Sequence, residues 1–145
     1  MRRLLMWGFV GLLGLFIIMQ FIPIGGAQSN PPVLAEPKWD SPATRALAKR
    51  ACFDCHSNET VWPIYSQIAP VAWLVRRDVN EGRSKLNFSE WTGLRRQKGL
   101  DDVIESIQRK QMPMAIYLPL HPEAKLTDAE RQQLIKGLRA TFVGN

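Results

Sequence analysis

The chain is short of the residues that build most functional sites. Its 145 residues include only two cysteines and two histidines. That scarcity excludes a disulfide-dense scaffold and leaves no second Cys or His pair to close a zinc site. Nor is there a block of charge of one sign. The basic residues lie among acids, as in Arg76, Arg77, Asp78, Glu81 and Arg83, so they read as solvated helix faces and speak against nucleic-acid binding. No stretch alternates apolar and polar residues over the length of a strand, and no segment repeats, which excludes a sandwich, a barrel or a solenoid. The apolar N-terminal run is followed by no cysteine that could carry a lipid.

What is present first is that run. From Leu4 to Ile24 the only clearly polar residue is Gln20, and thirteen of the 21 positions are Leu, Ile, Phe or Val. At about 1.5 Å per residue such a helix spans roughly 30 Å, the thickness of a hydrocarbon core. Arg2 and Arg3 precede it and no further Lys or Arg occurs before Lys38. This asymmetry predicts Met1 in the cytoplasm and everything after Ile24 outside, in the periplasm or at the cell exterior. Residues 1–27 are thus expected to be a membrane anchor or an uncleaved signal; a cleaved signal ending near Gly25 and Ala27 is the alternative. Residues 28–38, with Pro31, Pro32 and Pro37, read as a semi-rigid linker. Residues 39–145 form one domain, too small for a large core of its own. With Arg2 and Arg3 set aside, the remainder carries 17 basic against 13 acidic residues, or +4, a mild excess suited to steering an acidic partner.

The domain's punctuation is helical. Ser41 before Pro42 is an N-cap with proline at the first helical position, opening a helix towards Cys52. Pro70 opens a second, with Val71, Leu74, Val75 and Val79 on one face and Gly82 as its stop. Ser89 caps a short turn through Trp91. After Gly99 a third helix carries Leu100, Val103, Ile104 and Ile107 and ends before Pro113. Thr127 and Glu130 form a capping box ahead of Leu134, Ile135, Leu138 and Phe142. The expectation is an all-α domain of about four helices whose long loops wrap a ligand.

Cys52-Phe53-Asp54-Cys55-His56 identifies that ligand. In C-x-x-C-H one turn of backbone places two thiols to form thioethers with the two vinyl groups of a haem, and the next residue reaches the iron with its imidazole. A disulfide across so short a loop would remove little entropy. A thioredoxin-like dithiol would need a βαβ setting that the chain lacks. One covalent haem c, wrapped in a small cytochrome c-like domain, is the predicted cofactor.

Around this motif lie Ser57-Asn58-Glu59-Thr60, Trp62-Pro63-x-Tyr65-Ser66, Ala69-Pro70-x-x-Trp73-Leu74, Asp78-Val79-x-Glu81-Gly82-Arg83, Asn87-Phe88-Ser89-x-Trp91, Met112-Pro113 and His121-Pro122-Glu123-Ala124. Over residues 39 to 143 the pattern resembles the bacterial haem-binding domain family of monohaem cytochromes c. It departs at position 64, where the family carries an aromatic residue and this chain has Ile64. The resemblance implies a haem-binding c-type cytochrome and, by analogy with cytochromes generally, electron transfer.

For the iron's sixth position Met112 is the first candidate, in a loop after a helix as in small cytochromes that pair His with Met. Met114, His121 and an open or water-bound iron are the alternatives. Trp62, Tyr65, Trp73 and Trp91 are candidate walls for a porphyrin. Arg83 is a candidate partner for a propionate. Pro63 or Pro70 is expected to bring a backbone carbonyl to the His56 Nδ1–H. The leading expectation is a carrier serving membrane-bound or periplasmic redox proteins rather than an enzyme. The alternatives are a ligand sensor or peroxidase-like enzyme with an open distal site, and a structural haem subunit of a larger complex.

Overall fold

The computed structural model describes residues 1–91 and 97–143. Among these the chain is all-helical: α1 (Arg2–Gln20), α2 (Pro42–Ala51), α3 (Phe53–His56), α4 (Val71–Lys85), α5 (Gln97–Gln108) and α6 (Asp128–Val143), with 3-10 turns at Ile64–Gln67 and Pro122–Ala124. One isolated parallel bridge joins Ala35 to Glu90 where a turn through Ser89 to Trp91 was expected.

Helix α1 is long and apolar enough to cross a membrane, and none of it is buried in the protein. It ends at Gln20 rather than Ile24. Gln20 turns its amide to the domain, donating to the Ala69 carbonyl at 3.3 Å and accepting from the Ala69 N–H at 2.9 Å.

The caps behave as their residue types dictate. Ser41 Oγ accepts the Thr44 N–H at 3.2 Å and starts α2, a bond whose loss costs about 1 kcal/mol. Helix α5 ends in a Schellman motif: the Gln111 N–H reaches Ser106 O, the Lys110 N–H reaches Ile107 O, and Lys110 takes the left-handed position at φ 57°. A glycine usually fills that position. At the start of α6, Thr127 Oγ1 accepts the Glu130 N–H while the Glu130 carboxylate accepts the Thr127 N–H.

That carboxylate is pulled down to about 2, first by the Thr127 N–H and then by the Arg50 guanidinium at 2.6 Å. A depressed carboxylate stabilises the fold above its ordinary value of 4.5 and loses that contribution as the pH falls towards 2. Glu130→Gln is therefore expected to lower the unfolding temperature at pH 7, with the deficit closing as the pH approaches 2. Thermal scans of both proteins across that range, followed by circular dichroism, check it.

Helix α4 departs from expectation in running through Gly82 to Lys85. A Cβ on Gly82 would strike the Cys55 carbonyl oxygen, so glycine is needed there for close approach of α3 and α4 rather than as a stop. Ala72, Val79 and Gly82 are the buried residues of α4, while Val71 and Leu74 stay exposed beside a cavity. The same logic joins α2 to α6, where a Cβ on Gly137 would strike Thr44. The core of Leu47, Ile104, Ile107, Leu134 and Leu138 is continuous with an aromatic ladder of Trp39, Phe53, Phe88, Trp91 and Phe142.

Candidate functional site

Cys52 caps the short helix α3, which carries the rest of the C-x-x-C-H segment and is held against α2 and α4. Phe53 is 2% exposed and pins the segment into the aromatic ladder. Cys52, Cys55 and His56 are left half-buried at its edge.

His56 Nδ1 lies 3.0 Å from Gly82 O and 3.1 Å from Leu86 O. The expected partners Pro63 and Pro70 are not the ones used. Their place is taken by the last turn of α4, because the glycine contact draws that turn onto α3. Two carbonyls accept and cannot donate, so Nδ1 carries the hydrogen and Nε2 keeps its lone pair. Burial lowers the imidazole's pKa despite these two carbonyls, and the Lys85 ammonium adds to the lowering. A neutral ring oriented by backbone and offering Nε2 is the form that binds a metal.

The two thiols are free. Burial pushes Cys52 up to about 12 and Cys55 to about 11.

Two cavities, of about 150 and 420 Å³, lie on either side of this edge, and Cys52, His56, Lys85 and Met112 line both. The larger has apolar walls from Leu86, Phe88, Val103, Ile107 and Leu138. A third, of about 170 Å³, continues past Cys55 along α4 and is lined by Tyr65, Val71, Leu74, Tyr117 and His121. Met112 is 38% exposed, but its backbone is held: its N–H bonds Ser106 O at 3.2 Å, and the buried Arg131 reaches Ile107 O at 3.0 Å and Met112 O at 3.5 Å.

The structure brings together Cys52, Cys55, His56 and Met112, with Met114 lining two of the cavities. Of the four expected aromatic walls, Tyr65 lines a cavity. The three tryptophans lie elsewhere: Trp62 bonds Asn30, Trp73 bonds the Ile22 carbonyl, and Trp91 stacks on Phe142 at 4.9 Å. Arg83 is committed to Ser57 O, Ser29 O, Asn30 and Thr60 Oγ1, so Lys85 is the cation that lines both cavities. His121 has both ring nitrogens engaged, Nε2 with the Tyr65 hydroxyl and Nδ1 with Glu123, and it stacks on Tyr117 at 3.9 Å. Tyr117 in turn donates to Asp54, inside the cysteine motif. Sequence reasoning missed Tyr117, Lys85 and Arg131; only the tyrosine, five residues after Met112, had a local signal.

A neutral imidazole with a free Nε2, two thiols beside it and walls that are apolar apart from Lys85 and the carboxylates of Asp54, Asp78, Glu81 and Asp102 make a site that a flat, largely apolar metal macrocycle fits. The donor set fits haem. A model of the haem-binding domain matches residues 14–140, and the chain belongs to the haem-binding domain family. No curated protein and no solved structure matches it.

Proposed function

We propose that this haem-binding protein is a membrane-anchored monohaem c-type cytochrome that passes single electrons outside the cytoplasm. The observation that carries the reading is the His56 ring, oriented by Gly82 O and Leu86 O beside two free cysteines and facing cavities that Met112 also lines. Cys52 and Cys55 would hold the haem by adding their thiols across its vinyl groups, and His56 and Met112 would be its axial ligands. When bound, the haem supplies a one-electron ferric/ferrous couple.

The chain's own residues account for the rest. Gly82 and Leu86 fix the imidazole's tautomer and direction, so the ring need not turn when charge arrives. Ser106 and Arg131 hold Met112 through its N–H and its carbonyl. Phe88, Ile107 and Leu138 would give one face of the haem apolar contact, and Lys85 is placed to pair with a propionate. His121, with both nitrogens engaged, has none to spare for iron. Helix α1 supplies the anchor, and Arg2 and Arg3 set the orientation.

The full chain, matured with haem and purified in detergent, tests this. Its haem is expected to survive acidified acetone and a denaturing gel and to titrate as a single one-electron couple. Cys52→Ala with Cys55→Ala is expected to lose that resistance completely. Haem extracted from the wild type by acidified acetone would overturn covalent attachment. An iron that binds ligands but fails to cycle reversibly would favour a sensor.

A further inference from the structure

Residues 20–36 do not hang between the helix and the domain; they are laid along it. The Trp73 indole N–H donates to Ile22 O at 3.0 Å, and the Asn80 amide donates to Gly25 O at 2.6 Å. Gly25 packs so closely on α4 that a Cβ there would lie 2.9 Å from the Trp73 carbonyl oxygen, and its φ of +87° suits glycine alone. Further on, Arg83 holds Ser29 O and Asn30, Asn58 donates to Pro32 O at 3.0 Å, and the Leu34 N–H reaches Ser89 O at 2.8 Å. The strap therefore runs parallel to α4, from its first turn to its last.

This fixes which end of the domain meets the end of α1. Gln20, the last residue of that helix, takes both the N–H and the carbonyl of Ala69, two residues before α4 begins. Around this joint Ile22, Ile24, Ile64 and Ile68 are all exposed, Ile64 at 85%. None of the four lines the cavities beside His56. Trp73 sits among them, and indole favours the level of lipid headgroups.

We propose that this apolar foot rests in the outer surface of the bilayer that α1 crosses, and that the strap and α4 act as a strut holding the haem site at a set height above it. The inference rests on reading α1 as an uncleaved anchor. What points to lipid as the occupant is continuity: the foot begins within four residues of the span's end and is hydrogen-bonded to it. Along α4, the rise from Val71 to Gly82, whose carbonyl orients His56, is roughly 17 Å. An electron partner would then have to present its own redox centre at that height.

The full chain in vesicles of phosphatidylcholine and phosphatidylglycerol, some carrying a photoactivatable diazirine on the acyl chain near the headgroup, tests this. After illumination, mass spectrometry is expected to place lipid adducts between Ile64 and Trp73 and around Ile22, as well as within α1, and none on α6. Gln20→Ala with Asn80→Ala, checked for folding by circular dichroism, is expected to lower the adducts at Ile64–Trp73 several-fold while those within α1 persist. Adducts confined to α1 in the wild type would overturn the foot and leave the anchor standing. A chain released by alkaline carbonate and free of adducts would overturn the anchor, and the foot with it. Undiminished adducts at Ile64–Trp73 in the variant would overturn the strut.

Discussion

Met112→Ala is expected to abolish the weak far-red band of sulfur-ligated ferric iron, to let the reduced protein bind carbon monoxide, and to lower the reduction potential. The shift should be on the order of 100 mV, a part of the roughly 0.8 V over which axial ligands move haem potentials. Thioether sulfur favours the ferrous state, so its loss stabilises the ferric one. Met112 lines both cavities that His56 lines, and its N–H and carbonyl are tied to Ser106 and Arg131. Met114 is absent from the walls of the larger cavity, and Met114→Ala should leave all three properties near wild type. Spectra and potentiometric titrations of the two variants check this. A wild type that lacks the band and already binds carbon monoxide would put an open distal site in place of the sulfur.

Gly82→Ala is expected to be strongly damaging for a change of a single methyl group. The added Cβ meets the backbone of Cys55, its carbonyl oxygen first. Backbone cannot rotate away as a flexible side chain would, so α4 must move off α3. Overpacking of this kind costs about 1–3 kcal/mol or more, and for a domain of this size that lowers Tm by about 10 °C. The same movement withdraws Gly82 O from His56 Nδ1, so haem retention should fall along with stability. Gly14→Ala is the control, since nothing lies within 4 Å of the methyl it would add. Thermal unfolding and the haem-to-protein absorbance ratio of the two variants measure the contrast. Equal behaviour would mean that α3 and α4 are not held together through this glycine.

Gly82 also shows where reading the sequence stops. A glycine after a run of apolar helical spacing is a common helix stop, and position 82 met that description. It lies inside α4 instead, because Cys55, 27 positions away in the chain, needs the room. The pairing of His56 with Gly82 and Leu86, rather than Pro63 or Pro70, has the same origin. Arg83 beside the motif resembled a propionate partner, yet its guanidinium ties the strap to Ser57 and Thr60. Trp91 looked like a porphyrin wall, but Phe142 from the far end of the chain stacks on it. The turn expected from Ser89 to Trp91 lies slightly earlier, at Phe88 and Ser89, and Glu90 after it pairs with Ala35 from the linker.

The sequence by itself determined what local chemistry governs: the apolar span of α1, the caps of α2 and α6, the period of α5, and the C-x-x-C-H segment with its fixed offsets between thiols and imidazole. Each is written within one to three turns of helix, where spacing along the chain equals spacing in the molecule. The tertiary structure decided which nitrogen of His56 is free, which cation lines both cavities, what holds the Met112 loop, and that residues 22–30 lie along α4. Most of those outcomes rest on contacts between residues some 20 to 60 positions apart. Such contacts come from close packing of whole helices, which residue type and periodicity do not encode.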